Sequence, residues 1–217
     1  MDSLNRHEDY GQELLDETHL VADPIEQFKI WLKDAEAQNI YEPNAFVLGT
    51  VDGQNQSRSR TVLLKGVDHR GFFFATNYLS RKGEALVTNP SASAVFGWYS
   101  IYRQVLIQGV AEKVDAAESD DYFNSRPHES RVAAWSSQQS KPIESRSALD
   151  AQFENALERF SGTEPPRPDY WGGYRINPTR IEFWKGRSSR MHDRIEYVRD
   201  LNTDGTPAPW AIARLQP

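Results

Sequence analysis

Between residues 45 and 114 the chain reads as a succession of short strand-like segments broken by polar turns. The segments are AFVLGTV (45–51), RSRTVLLKG (58–66), GFFFATN (71–77), ASAVFGWY (92–99) and RQVLIQGVAEKV (103–114). DGQNQ follows the first and DHRG the second. Such turns are too short for a crossover helix, so the strands they join run antiparallel. One helix interrupts the run, SRKGEALVTNP (80–90), with Ser80 as N-cap and Asn89-Pro90 as its stop. Strands return at GGYRINPTRIEFWKG (172–186), HDRIEYVRD (192–200) and PWAIARL (209–215). Strands at both ends with helices between them lack the βαβα rhythm of a parallel sheet. The expected fold class is mainly β with peripheral helices (α+β): an antiparallel barrel with helices packed around it.

Helix signals fill the remainder. Asp23-Pro24 sets an N-cap before a proline at the first helical position. Ile25, Phe28, Trp31, Leu32 and Ala35 then recur at helical spacing, with an end expected near Asn39. Asp115 is placed to cap AAESDDYFNS, ESRVAAW reads as a short helix, and Leu149, Phe153, Leu157 and Phe160 form one stripe over 147–160. The Pro-rich GTEPPRPDY (162–170) is a stiff connection. Residues 1–22 are polar and are expected to be mobile without a ligand. Residues 23–217 are expected to form a single domain.

The chain has 217 residues and a formal net charge of −6. An acidic balance argues against a nucleic-acid partner, and it makes local basic clusters stand out. There is no cysteine, which excludes disulfides, thiolate nucleophiles and cysteine metal sites. The five histidines are scattered without metal-ligand spacing, so no metal is expected. Rossmann, P-loop and G-x-S-x-G signatures are missing. No apolar run is long enough to span a bilayer, and the N-terminus lacks a signal-peptide core. The expectation is a cytoplasmic protein with no membrane partner.

Five polar clusters carry the chemistry. In RTVLLK, Arg60 and Lys65 bracket an apolar strand. Their spacing puts them on opposite faces of a regular strand, so a shared ligand requires a bulge or an approach from the strand end. In NYLSRKGE, Arg81 and Lys82 sit in the first turn of a helix, against its dipole, and a bound phosphate would resolve that conflict. DYFNSRPHES spaces Tyr122, Arg126 and Ser130 four apart, and WSSQQSKP offers Gln139 and Ser140. In RSSRMHDR, strand alternation puts Arg190, His192 and Arg194 on one face, three potential cations that need something negative opposite them. Asp193 then points to the other face, as structural support. Solvated strand ends, surface charges and an ordinary helix C-terminus remain alternatives for these clusters taken singly.

Taken in order, RTVLLKG, TNYLSRKG, NPSASAVFGW, RQVLIQG, YFNSRP, WGGYR, IEFWKG, RMHDR and the closing WAIARLQP resemble the pyridoxine/pyridoxamine 5′-phosphate oxidase family. The resemblance runs from Asp23 to Pro217, with a trace at Arg6–Tyr10. It implies a homodimeric, FMN-binding, Greek-key split β-barrel with flavin sites at the subunit interface. It also implies oxidation of pyridoxamine or pyridoxine 5′-phosphate to pyridoxal 5′-phosphate, with O2 reduced to hydrogen peroxide. FMN contacts are implied for Arg60, Thr61, Val62, Leu63, Leu64, Lys65, Ala75, Thr76, Arg81, Lys82, Gln104, Gln139, Ser140, Trp184 and Arg194. Many relatives carry an aromatic where Ala75 stands, so a backbone contact is expected there. Lys65, Tyr122, Arg126 and Ser130 are implied to hold the substrate phosphate, and Arg190 and His192, the implied catalytic residues, to cover the substrate ring. RHEDY keeps Arg6 and Tyr10 of a segment that folds over the substrate in relatives. Other functions consistent with the resemblance are a split-barrel flavin reductase with another acceptor, or a non-catalytic FMN- or pyridoxal-phosphate-binding carrier.

Overall fold

The computed structural model describes residues 9–11, 13–200 and 208–217. Arg6 and the first eight residues of the expected mobile segment lie outside them. Asp23 caps α1 (Pro24–Ala37), its carboxylate accepting from the Ile25 N–H at 2.8 Å. Next come β1 (Ala45–Val51), β2 (Ser57–Leu63), β3 (Gly66–Asp68), β4 (Gly71–Asn77), α2 (Arg81–Thr88), β5 (Ser91–Trp98) and β6 (Arg103–Lys113). Three helices follow, α3 (Ala116–Asn124), α4 (His128–Ser136) and α5 (Arg146–Arg159), before β7 (Trp171–Lys185), β8 (Asp193–Val198) and β9 (Ala211–Leu215). The strands pair antiparallel in the order β2-β1-β5-β6-β7-β4-β3, with β8 between β7 and β9.

The sheet divides along β7. One edge of β7 pairs with β6 from Tyr174 to Lys185. Its other edge pairs with β4 over Trp171–Ile176 and with β8 over Arg180–Lys185. Pro178, which has no N–H to donate, lies in the gap between those two partners. Opposite it the β6 register shifts at Gln108/Gly109. Gly109 is required there, because an added Cβ would stand 2.1 Å from the Asn177 carbonyl oxygen. Two lobes of one split barrel thus share a single long strand.

Period-two alternation builds the core. β5 reads exposed-buried throughout, turning Ala92, Ala94, Phe96 and Trp98 inward. Phe46, Phe72, Phe74, Ile107, Phe183 and Tyr197 meet them, and α1 plugs the barrel with Phe28 and Trp31. Fully burying each such side chain stabilises by about 1.5–3 kcal/mol.

Two sequence expectations need correction. The segment 58–66 is not one strand: β2 ends at Leu63 and β3 begins at Gly66. The Leu64 N–H donates to Asn44 O and the Lys65 N–H to Phe73 O, both at 2.8 Å, so the chain changes partners there. The expected strand face through Arg190, His192 and Arg194 is also not formed. Ser188–Arg190 is a 3-10 turn, and Ser189 and Arg190 both take left-handed φ of 57° and 59°. β8 begins only at Asp193, so Arg194 alone of the three lies in a strand.

Candidate active site

A cavity of about 610 Å³ opens between β2, β4, the N-terminus of α2 and the α3–α4 connection. Arg60, Thr61, Val62, Leu63, Lys65, Ala75, Thr76, Lys82, Tyr122, Arg126, Ser130 and Gln139, expected site residues from separate segments, line it. The strand break at Leu64–Lys65 brings Arg60 and Lys65 to one cavity despite their odd spacing. Leu64 itself turns into the hydrophobic core.

Among the described residues no aspartate or glutamate lines this cavity, although four cations do. Arg60 donates to Leu48 O at 3.0 Å and Thr50 Oγ1 at 2.9 Å, both neutral. Lys82 donates to Gln139 Oε1 at 2.6 Å and Ser80 Oγ at 3.2 Å. Burial, helped by the Arg60 charge, pulls the Lys82 ammonium down to about 8. Arg126 has its guanidinium carbon 4.6 Å from the Trp171 ring centre, and its Nη1 is buried without a hydrogen-bond partner among the described residues. Burial likewise lowers the Arg126 pKa and raises that of Tyr122. Tyr122 stacks on the same Trp171, with ring centres 6.1 Å apart and planes 10° apart. Helix α3 ends at Asn124, so Arg126 reaches this position from the turn before Pro127 and not from a continuous helix. A cluster of desolvated cations with unused donors fits a dianionic group such as a phosphate.

Ser80 caps α2, its Oγ accepting the Gly83 N–H at 3.4 Å, and Lys82 of the first turn lines the cavity. The Arg81 N–H donates to Ser140 Oγ at 3.3 Å, and the exposed Arg81 side chain lines a separate pocket with Arg58 and Glu84, outside this cavity. Ser140 holds a left-handed φ of 73°.

The other expected site residues gather elsewhere. Gln104, Trp184 and Arg194 stand in register across β6, β7 and β8. The rows beside them, through Val105, Phe183 and Ile195, point into the core, so this row lies on the outer face. His192 packs against Trp184 with ring centres 4.7 Å apart and planes tilted by 47°, and its Nδ1 accepts from the Arg187 N–H at 3.0 Å. Burial and then the Arg190 charge lower the His192 pKa. Arg190 is exposed. Arg194 is not waiting for an anion: Nε and Nη2 grip Glu182 at 2.8 and 2.9 Å. This row is near the Lys185 end of β7, whereas the cavity is at the Trp171 end, roughly 40 Å away along an extended strand. One chain does not bring the two groups together.

WGGYR alone assigns Trp171 no role, because only the fold brings it under Arg126. Nor does the sequence pattern show the packing of the N-terminal segment. Leu15 is buried, and Tyr10 lies 5.6 Å from His192 and 4.7 Å from Tyr102, ring centre to ring centre.

Known proteins of similar sequence and fold identify the family. A family profile described as "Pyridoxamine 5'-phosphate oxidase" matches residues 32–160, and a "Pyridoxine 5'-phosphate oxidase C-terminal dimerisation region" matches residues 171–217. The chain is 50% identical over 208 residues to pyridoxine/pyridoxamine 5′-phosphate oxidase from Burkholderia lata, covering 96% of this chain and 95% of that one. Identity to the Bordetella avium protein of that name is also 50%, covering 96% of both. Among solved structures, PhzG from Burkholderia lata in complex with tetrahydrophenazine-1-carboxylic acid superposes with a TM-score of 0.87 at 32% identity, covering 96% of this chain and 100% of PhzG. A pyridoxamine 5′-phosphate oxidase-related, FMN binding protein from Nostoc punctiforme shares the fold with a TM-score of 0.68 at 14% identity, covering 91% of this chain and 100% of its own.

Proposed function

Because this chain belongs to the pyridoxamine 5′-phosphate oxidase family, we propose that it is an FMN-dependent oxidase that converts pyridoxamine and pyridoxine 5′-phosphate to pyridoxal 5′-phosphate. The observation carrying this reading is the cavity in which Arg60, Lys65, Lys82 and Arg126 converge with no acid among the described residues that line it. Both FMN and the substrate bring a phosphate of roughly −1.5 to −2 charge. Arg60, Arg81, Lys82, Gln139, Ser140 and the α2 N-terminus would hold the FMN phosphate. Thr61, Val62, Leu63, Ala75 and Thr76 would line the flavin. Tyr122, Arg126, Ser130 and Lys65 would grip the substrate phosphate, with Trp171 holding Arg126 in place.

The site would be completed across a homodimer. Gln104, Trp184, Arg190, His192 and Arg194 lie too far along β7 to serve the cavity of their own chain. The matched dimerisation region contains all of these except Gln104. In a second copy they would cover the open side of the cavity, with Arg190 and His192 over the substrate ring. With its Nδ1 occupied, His192 would present an Nε2–H to the substrate. The chain's contribution is then mainly positioning, setting the substrate's 4′ carbon against the flavin. FMN supplies a two-electron hydride acceptor that O2 reoxidises, giving hydrogen peroxide.

A second reading is supported by the likeness to PhzG, whose bound ligand carries a carboxylate in place of a phosphate. The test is to load the protein with FMN, supply each substrate in air, and follow pyridoxal phosphate and peroxide. Peroxide formed with pyridoxamine or pyridoxine 5′-phosphate, in step with pyridoxal phosphate, is the expected result. Turnover of a reduced phenazine carboxylate alone would favour the second reading. FMN uptake without turnover of either would favour a non-catalytic carrier or a reductase with another acceptor.

A further inference from the structure

Asp193 lies between His192 and Arg194, is buried, and makes no contact with the cavity. Its Oδ1 accepts from Arg214 Nη1 at 2.6 Å. Its Oδ2 accepts the backbone N–H of Leu15 at 3.1 Å and stands 3.6 Å from Arg187 Nη1. Arg187 in turn donates its backbone N–H to His192 Nδ1. That bond leaves the imidazole proton on Nε2. The N-terminal segment also touches the turn directly: Ser188 Oγ donates to Asp9 Oδ1 at 2.6 Å, and the Ser188 N–H donates to Gly11 O at 3.2 Å. The next two residues, Ser189 and Arg190, hold left-handed backbone, which non-glycine residues keep only when their surroundings impose it.

We propose that Asp193 is a positioning residue that makes the tautomer and aim of His192 depend on the docked N-terminal segment. One carboxylate oxygen faces both Leu15 and Arg187, so the segment, the 187–192 turn and the imidazole form one connected unit. Leu15 anchors the segment in the core, and Arg214 braces the carboxylate from β9 while also holding Leu15 O at 2.9 Å. Losing the docked segment would free the turn, relax Arg190 from its left-handed backbone, and let His192 rotate. The consequence for turnover rests on the proposed contact between His192 and substrate. The structural coupling does not.

The test uses the full-length, FMN-loaded Asp193→Asn variant. Hydrogen exchange at the Leu15 amide and in peptides covering residues 13–21 is expected to accelerate by roughly tenfold or more. Nitrogen-15 spectra of the histidine rings should lose the single Nε2–H tautomer of His192. Turnover with pyridoxine 5′-phosphate should fall roughly tenfold in kcat, while the Kd for FMN changes less than about twofold. A variant that only melts earlier, with exchange, tautomer or kcat unchanged, overturns the proposal. If Asp193→Asn does not fold, Arg187→Gln decides instead. It keeps the backbone N–H but loses the pull of Asp193, and it should mix the tautomers and lower kcat roughly threefold. Unchanged values for that variant would equally overturn the idea. If the wild-type protein turns over neither phosphate ester, the proposed function fails, and the exchange and tautomer readouts still decide the coupling.

Discussion

Two groups of cations lie at opposite ends of β7 and are held in opposite ways. At the Trp171 end, Arg60, Lys82 and Arg126 are half-buried and touch only neutral partners or none. At the Lys185 end the buried or bracing cations are paired with acids: Lys185 with Glu13, Arg194 with Glu182, and Arg187 and Arg214 both with Asp193. Paired charges satisfy one another and make structure without a ligand. Unpaired buried charges cost stability until something anionic arrives. The difference separates the part of the site that binds from the part that is built.

The sharpest way to break this contrast is Arg126→Met. Removing charge-assisted bonds of about 1.5–3 kcal/mol should raise KM for the phosphate ester by roughly 10–100-fold. It should leave thermal stability of the ligand-free protein unchanged or higher, because an unsatisfied group is removed. An unaltered KM, or a large loss of stability, would place Arg126 with the structural cations.

Glu182→Gln tests the other side. Glu182 is buried and grips Arg194 with both oxygens. Its loss should destabilise by about 2–3 kcal/mol in urea denaturation, below the full cost for a buried pair because Arg194 keeps some solvent. A change under about 0.5 kcal/mol would mean the pair behaves as a surface bridge.

The pH dependence of FMN affinity sharpens the contrast further. With the Lys82 ammonium pulled down to about 8 in the ligand-free cleft, it is charged below that pH and neutral above. A phosphate favours the charged form, so binding above pH 8 must take up a proton. Affinity should therefore weaken as pH rises past 8, by at most about tenfold per pH unit. Lys82→Arg should flatten that slope, and a flat profile in the wild type would argue against Lys82 as a phosphate contact. The smallest expected effect is Ser80→Ala. Losing the cap on α2 should cost about 1 kcal/mol and weaken FMN binding only as far as the helix N-terminus loosens, read by thermal melting with and without FMN.

Much of the fold was legible because local signals agreed with it. Strand-like runs between short polar turns marked β1 and β4 at their observed bounds, and Asp23, Ser80 and Asp115 each cap the helix expected of them. The odd spacing of Arg60 and Lys65 asked for a bulge or an approach from the strand end, but the place of the break at Leu64–Lys65 was not legible, since RTVLLKG reads as one apolar strand and only Asn44 and Phe73 pull it apart. Residues that spacing and resemblance singled out in separate segments line one cavity, and their lack of acidic partners among the described residues is a property of the fold. In the RSSRMHDR stretch the negative charge comes partly from the chain itself. Glu182 neutralises Arg194, and Leu15, 178 residues away, shares Asp193. No local pattern announces a partner at such a distance.

The most direct measurement compares kcat/KM for pyridoxine 5′-phosphate and unphosphorylated pyridoxine, in the FMN-loaded wild type and in Arg126→Met. If the unpaired cations form the phosphate grip, the wild type prefers the ester by roughly 100-fold or more, and Arg126→Met removes most of that preference. Equal rates for the two compounds in the wild type, or an undiminished preference in Arg126→Met, would contradict it.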